Sequence, residues 1–443
     1  MGKYTKDDIF RMIRDEDVEF IRLQFTDIFG VLKNLAITTS QLEKALNNRI
    51  MFDGSAIDGF VGIEESDLYL HPDLDTFTIF PWRPQKGKVA RFICDIYYPD
   101  GRPFDGDSRA VLKRVLAQAA SEGCRFLIGP ECEFFLFHLD DNGIPTTLTH
   151  EQAGYFDVSP MDLGENARRD IDLTMEEMGY RVDGSHHEYA AAQHEIDLHY
   201  SEALEAADTI ETFRLAARTI ARRHGLHATF MPKPCSGVHG SGMHINISML
   251  KNGINVFSDE NDPNGLSREA LYFIGGLMEH IPGMTAILNP LVNSYKRLIT
   301  GYEAPRYNAW SSTNRSMLVR VPALRGFNTR IELRSPDSAA NPYLTLALCI
   351  AAGMDGIRRE IMPPASVEKS ISDMTEEEIA GRGIASLPAS LGEALARMRE
   401  DSFTAGVIGE HIRKHFLSAK SAEWNEFIQQ VTDWELKNYL SRF

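Results

Sequence analysis

Four short segments alternate apolar and polar residues with a period of two, and this pattern restricts the chain more than any other feature. They are GPECEFFLF (Gly129–Phe137), HEIDLHY (His194–Tyr200), MHINISML (Met243–Leu250) and TRIELRS (Thr329–Ser335). Successive strand residues point to opposite faces. Glu131 therefore shares a side with Glu133, Glu195 with Asp197 and His199, His244 with Asn246 and Ser248, and Arg330 with Glu332 and Arg334. Any one segment alone reads as an antiparallel strand with one wet face. Four together, with Glu188 nearby, make a carboxylate-rich set with one imidazole: Glu131, Glu133, Glu188, Glu195, His244 and Glu332. Oxygen ligands with an occasional His suit Mg²⁺ or Mn²⁺ rather than zinc or copper. Clustered carboxylates also repel unless cations neutralise them. The set predicts divalent metal, more than one ion.

A second signal is electrostatic. From Arg297 to Arg334 there are seven arginines, no lysine and two acids, Glu303 and Glu332, a net +5 inside a chain of net charge −17. Arginine without lysine favours planar, bidentate contacts to carboxylate or phosphate; surface ion pairs are the plainer reading. Metal carboxylates beside an arginine cluster point to phosphoryl transfer. The Gly-rich GVHGSG (Gly237–Gly242) lacks the Lys-Ser/Thr of a P-loop and is followed by a strand, so a close backbone approach to a small polar substrate fits it better. GYEAP (Gly301–Pro305) reads either as a mobile lid around Glu303 or as a plain loop. His186 and His187 precede Glu188, but HHEYAAAQHE is not the HExxH of a zinc protease.

The 443 residues suggest two or three domains. The turn-rich stretch from Tyr97 to Arg109 divides residues 1–100 from 101–443. The first unit mixes strands with one helical stretch near Thr39–Asn47. The second alternates strands with helices such as Ser108–Glu122 and Ile210–His224, with another opened by Asn341-Pro342. Ser366–Gly383 reads as a surface excursion. The class is α+β. The acid excess argues against polyanion partners, neither nucleic acid nor an anionic membrane. Five cysteines without a Cys-x-x-Cys pair suggest no disulfide framework and a reducing cytoplasm. The start has no apolar signal core, and the longest apolar run, Leu344–Met354, is too short to span a bilayer.

An ordered series of motifs now carries a family resemblance. FDGSAIDGF (Phe52–Phe60), the Glu-x-Glu strand, HHE followed by Glu195, KPxxGxxGSGMHxxxS (Lys233–Ser248), NSYKRLxxGYEAP (Asn293–Pro305), NRS (Asn314–Ser316) and RIELRSPD together resemble type I glutamine synthetase, in its shorter Gram-positive and archaeal branch. The resemblance implies an N-terminal β-grasp domain, a C-terminal catalytic domain, and a dodecamer of two hexameric rings with active sites between subunits. It implies L-glutamate, ammonium and ATP as substrates. By motif, Glu133, Glu188 and Glu195 would hold one metal, and Glu131, His244 and Glu332 the one bridging to ATP. Arg297 would grip glutamate beside Gly240. Arg315, Arg320, Arg330 and Arg334 would handle the phosphates and the transferred group, with Ser248 on the nucleotide side. Asp53, from a neighbouring subunit, and Tyr155 would serve ammonium, and Glu303 would be the lid glutamate.

The chain departs from the family pattern at several positions. Ala56 replaces a Ser, Cys132 a Pro, Ala192 a Gly and His239 an Asn, while Gly62 stands where an arginine tied to feedback is common. Ser372 occupies the place of a tyrosine that other branches adenylylate. These departures motivate two alternatives: a glutamylamine synthetase using an organic amine, and a weakly active nitrogen sensor whose partner is a transcriptional regulator.

Overall fold

The structure is a computed structural model that describes residues 2–63, 66–83 and 86–443; the side chain of Ser372 lies outside the described residues. Two sheets organise the chain. The first contains β1 (Val18–Thr26), β2 (Leu32–Thr38), β3 (Ile50–Asp53), β4 (Asp67–Pro72), β5 (Thr78–Ile79) and β6 (Lys88–Tyr97), in the order β2-β1-β6-β4-β3 with β5 beside β6. Its central pair, β1 and β6, is parallel, and the outer pairs are antiparallel. A helix, Lys6–Asp15, precedes it. Its signals are a Thr5–Asp8 capping box and the buried pair Ile9 and Ile13, four apart. The expected Thr39–Asn47 helix is a 3₁₀ turn, Thr39–Gln41, running into a short α-helix, Leu42–Leu46.

The second sheet has ten strands. Its spine is β7 (Cys124–His138), β8 (Val182–His187), β9 (Gln193–Leu198), β12 (Met243–Lys251), β14 (Trp310–Ser311), β15 (Val319–Arg320) and β16 (Ile331–Leu333), in the order β14-β15-β16-β12-β7-β9-β8. Short strands β10 (Ser201–Glu202) and β11 (Leu226–Thr229) flank β7, and β13 (Ile254–Asn255) flanks β12. All four alternating segments contribute strands here. His199 falls just past the end of β9 and pairs with Asp183 (2.5 Å).

Register then does the positioning. His244 lies opposite Glu131, Glu133 opposite Glu195, Glu131 opposite Asp197, His186 opposite Glu195, and both Asn246 and Arg320 opposite Glu332. Because the side-chain period is two, this register puts all of these groups on one face. Between them Ile245, Ile247, Ile331 and Leu333 turn into the core with no exposure. Helices Ser108–Ser121 and Ala203–Arg223 pack against β7. Asp107 caps the first, and the second begins seven residues before the expected Ile210. Asn341 caps the Pro342–Arg358 helix, accepting from the amides of Tyr343 and Leu344. The stretch 366–383 is not wholly superficial: Val367 and Ile371 bury against Ala309 and Met317.

A guanidinium ties the two sheets together. Arg109 donates to Asp73 (2.8 Å), Asp95 (2.7 Å) and both oxygens of Asp208 (3.0 and 2.9 Å), joining the first sheet to the Ala203–Arg223 helix. The helix Arg268–Leu288 is long and apolar enough to cross a membrane by composition, although its charges hide it from a search for unbroken apolar runs. Within the fold 72% of its most apolar 18-residue window is buried, which marks it as a core helix. All five cysteines are free, four of them buried.

Candidate active site

One polar cavity of about 270 Å³ opens on the functional face of the second sheet. Its acid wall holds Glu131, Glu133, Glu188, Glu195, Asp197, His186 and His244; also lining it are Arg297, Arg315, Arg320, Arg330 and Arg334, with Gly240, Tyr155 and Glu303. The His244 imidazole is 3.1 Å by Nδ1 from Glu131, 3.9 Å by Nδ1 from Glu332 and 3.6 Å by Nε2 from Glu133. Two groups of donor atoms gather tightly enough to share an ion: Glu131, His244 and Glu332, and His186, Glu188 and Glu195, each within 4.8 Å of one another. Glu133 sits between them, its Oε2 accepting from Gln193 Nε2 and the Gly242 amide, both at 3.0 Å.

The electrostatics fit a cation. Burial pushes the Glu133 carboxyl up to about 7 against the pull of Arg297. Burial and then the Glu133 charge push Glu188 up to about 8, and the same two causes hold Glu195 well above the carboxylate range. Burial, with Arg334 next, keeps His244 far below its ordinary value, so the imidazole is neutral and free to ligate. Such acids must take up protons or metal, and hard oxygen donors with one imidazole suit the latter.

The arginines are held rather than floating. Buried Arg297 donates to the carbonyls of Ser335 (2.9 Å) and Arg334 (3.0 Å). Glu332, itself without exposure, accepts from Arg320 (2.8 Å) and from Arg334. Arg330 donates to Asn246 Oδ1 (3.0 Å), and the amide of Asn246 donates on to Glu131 (2.8 Å). Arg315 bonds Tyr155. Glycine is required at 242, where a Cβ would stand 2.5 Å from Arg297 Nη2 and 2.9 Å from His244 Nε2. Glu303 adopts a left-handed φ of 55°, unusual for a residue with a Cβ, in the segment expected as a lid or loop.

Two expected residues stand apart. Asp53 is exposed at the end of β3, bound to its own turn through the Ser55 amide (2.8 Å) and hydroxyl (2.6 Å). Ser248 is buried and donates to the Thr329 carbonyl (3.0 Å). Neither lines the cavity, nor does fully buried Glu332, although its carboxylate lies within reach of Glu131 and His244. Conversely, His186, Gln193, Asp197, Tyr189 and Tyr302 line it without having been singled out as site residues. Asp197 was within reach of the alternation argument, and His186 follows from it once β8 pairs with β9.

Fold and cavity together define a class: an α+β enzyme whose one cavity gathers acids suited to divalent cations and arginines suited to phosphate-bearing substrates. Comparisons with known proteins agree. Residues 17–99 match the family model for the glutamine synthetase β-grasp domain, and residues 105–439 that for the glutamine synthetase catalytic domain. The chain is 58% identical over 443 residues to a glutamine synthetase of Clostridium saccharobutylicum, covering 100% of both chains. It is 53% identical over 441 residues to one of Staphylococcus aureus strain MW2, covering 99% of each. Among solved structures, a GmaS/ADP complex is similar at a TM-score of 0.88 and 33% identity, covering 98% of this chain and 99% of that one. The Plasmodium falciparum glutamine synthetase is similar at a TM-score of 0.87 and 26% identity, covering 99% of each. The chain belongs to the glutamine synthetase family, in the type I branch of its Gram-positive relatives.

Proposed function

We propose that this chain is a glutamate–ammonia ligase that forms glutamine from L-glutamate, ammonium and ATP, and that the cavity residues divide the work as follows. The observation that carries the reading is the gathering, in one cavity, of the acidic set and five arginines. Glu131, His244 and Glu332 would hold one Mg²⁺ or Mn²⁺, and Glu133, Glu188 and Glu195, joined by His186, a second. Bound there, the metals supply charge neutralisation to the ATP phosphates and to the carboxylate that meets them.

Arg297 orients glutamate, with the backbone at Gly240 close beside it. Arg320 and Arg330 hold the ATP phosphates, with Ser248 supporting the strand beneath. The γ-carboxylate oxygen attacks the γ-phosphorus, the bond to the β-phosphate oxygen breaks, and ADP and γ-glutamyl phosphate result. Arg315 and Arg334 meet the negative charge on the transferring group, where preorganised donors are most effective. Ammonium is drawn towards Glu188 and Tyr155. Asp53, delivered by an adjacent subunit, takes its proton. Ammonia then attacks the acyl carbon, the carbon–oxygen bond to phosphate breaks, and glutamine and phosphate leave. Glu303 closes the cavity against water.

The exposed position of Asp53 on this chain fits an assembly in which subunits complete one another's sites; the family resemblance supports a dodecamer of two rings, working in the cytoplasm. Residues 1–100 then carry Asp53 to the neighbour, and residues 101–443 carry the rest. The test is phosphate release and glutamine formation by the purified protein with Mg²⁺, ATP and glutamate, comparing ammonium with a panel of organic amines. Turnover with ammonium supports the assignment. An intact assembly with no turnover, or one that turns over only with amines, contradicts it.

A further inference from the structure

We propose that His239, which stands where the family pattern has Asn, is a positioning residue that holds the lid segment over the cavity through a ladder of aromatic rings; this rests on the ligase reading above. Four rings from four separate stretches meet in sequence. Tyr155 stacks on Tyr189 (centroids 4.5 Å apart, planes at 13°), and Tyr189 stacks on His239 (4.6 Å, 25°). Tyr302 and His239 then meet edge-to-face (5.5 Å, 88°). Stacked and edge-on rings at these separations attract one another beyond the area they bury. All four line the cavity, and the last of them precedes Glu303 directly.

The lower end of this ladder is anchored. Tyr189 and His239 neighbour Ala190 and Val238, which belong to a small apolar cluster with Phe135, Phe137, Ala192 and Cys235, separate from the main core. Phe135 and Phe137 lie on β7, so the cluster fastens both loops to the sheet that carries the acid wall. The upper end is the lid itself. Lys233 closes the arrangement: its ammonium lies 4.0 Å over the Tyr302 ring and donates to the Val238 carbonyl. Among the described residues, His239 is therefore the ring that joins a fixed base to Tyr302, in the segment that bears Glu303.

The consequence is chemical. While γ-glutamyl phosphate waits for ammonia, water can attack the same acyl carbon, break the same carbon–oxygen bond and return glutamate and phosphate. A lid that is held keeps that route closed. Removing the ring loosens the lid and diverts intermediate to hydrolysis, which appears as phosphate released without glutamine.

The experiment measures phosphate released per glutamine formed for the parent, His239→Ala, His239→Phe, Tyr302→Ala and the double alanine variant, with Mg²⁺, ATP, glutamate and limiting ammonium. The parent should hold a ratio near one and His239→Phe should keep it. His239→Ala should raise it about twofold or more, since exclusion of water is what is lost. Tyr302→Ala should do the same, and the double variant should fall short of the two single effects combined, because both sever the shared His239–Tyr302 contact. A purely structural role would lower activity without moving the ratio. A parent ratio retained in His239→Ala overturns the role of His239 while leaving the ligase intact. A parent that forms no glutamine overturns both.

Discussion

Gly242→Ala presses hardest on Arg297, the residue proposed to grip glutamate, and less closely on His244, whose Nε2 would lie 2.9 Å from the added Cβ. The added Cβ would stand 2.5 Å from Arg297 Nη2, whereas ordinary van der Waals contact begins at 3.4 Å, so the guanidinium must retreat by about 0.9 Å. Arg297 is buried and has no slack: its two carbonyl partners, at 2.9 and 3.0 Å, hold it from behind. A retreat of that size breaks or badly bends one charged hydrogen bond, worth about 1.5–3 kcal/mol. At 1.4 kcal/mol per tenfold, glutamate KM should rise roughly ten- to a hundredfold. Gly242 also contributes its amide to Glu133 and its carbonyl to the Glu133 amide, but alanine preserves both. The assay is phosphate release against glutamate concentration at saturating ATP and ammonium. A glutamate KM within twofold of the parent would refute the steric argument.

Further expectations concern the acids, the inter-sheet arginine and the assembly. Glu332→Gln should slow turnover at least ~10²-fold, because charge at a reacting centre carries that order of effect; a rate within a few-fold of the parent would remove Glu332 from the metal set. In chelated protein, Glu133 and Glu188 keep protons to about pH 7 and 8, where their unfolded counterparts, near 4.5, have lost them. The folded state then binds more protons across that window, so stability should fall as pH rises from about 5 to 8. Added Mg²⁺ should flatten the slope; a melting profile indifferent to both would speak against a buried acid cluster. Arg109→Met leaves Asp73 and Asp208 without their guanidinium, and Asp95 with Lys113 alone, and should cost about 3–5 kcal/mol in denaturant unfolding. A loss under about 1 kcal/mol would show that the network is not a structural tie. Finally, inactive Asp53→Asn and Glu332→Gln chains, co-assembled, should regain activity if neighbours complete each site; a silent mixture would place Asp53 outside the site.

What the sequence made legible is what depends on strand periodicity. Glu131, Glu133, Glu195, His244 and Glu332 could be read onto one face because antiparallel pairing turns alternation along a strand into a shared surface across strands. His186, Tyr189 and Gln193 were harder. They lie on and around the β8–β9 turn, where Ala192 takes a left-handed φ and the β8 register slips near Gly184, so no simple period points them anywhere. The Lys6–Asp15 helix escaped because its charges mask a short apolar stripe, although its capping box was in plain view. Arg109 and Asp208 are 99 residues apart, and nothing local announces a buried ion-pair network. Ser248 shows the opposite failure: periodicity puts it on the polar face, but the nearby Thr329 carbonyl claims its hydroxyl. Asp53 belongs to neither case, since its proposed partners lie on another subunit.

Oxygen tracing follows the proposed intermediate itself. With glutamate labelled by ¹⁸O in its γ-carboxylate, attack on ATP and later cleavage of the acyl carbon–oxygen bond by ammonia must carry one labelled oxygen into the released phosphate. Mass analysis should find one ¹⁸O per phosphate and one glutamine for each. Unlabelled phosphate alongside glutamine would contradict a γ-glutamyl phosphate route through this cavity.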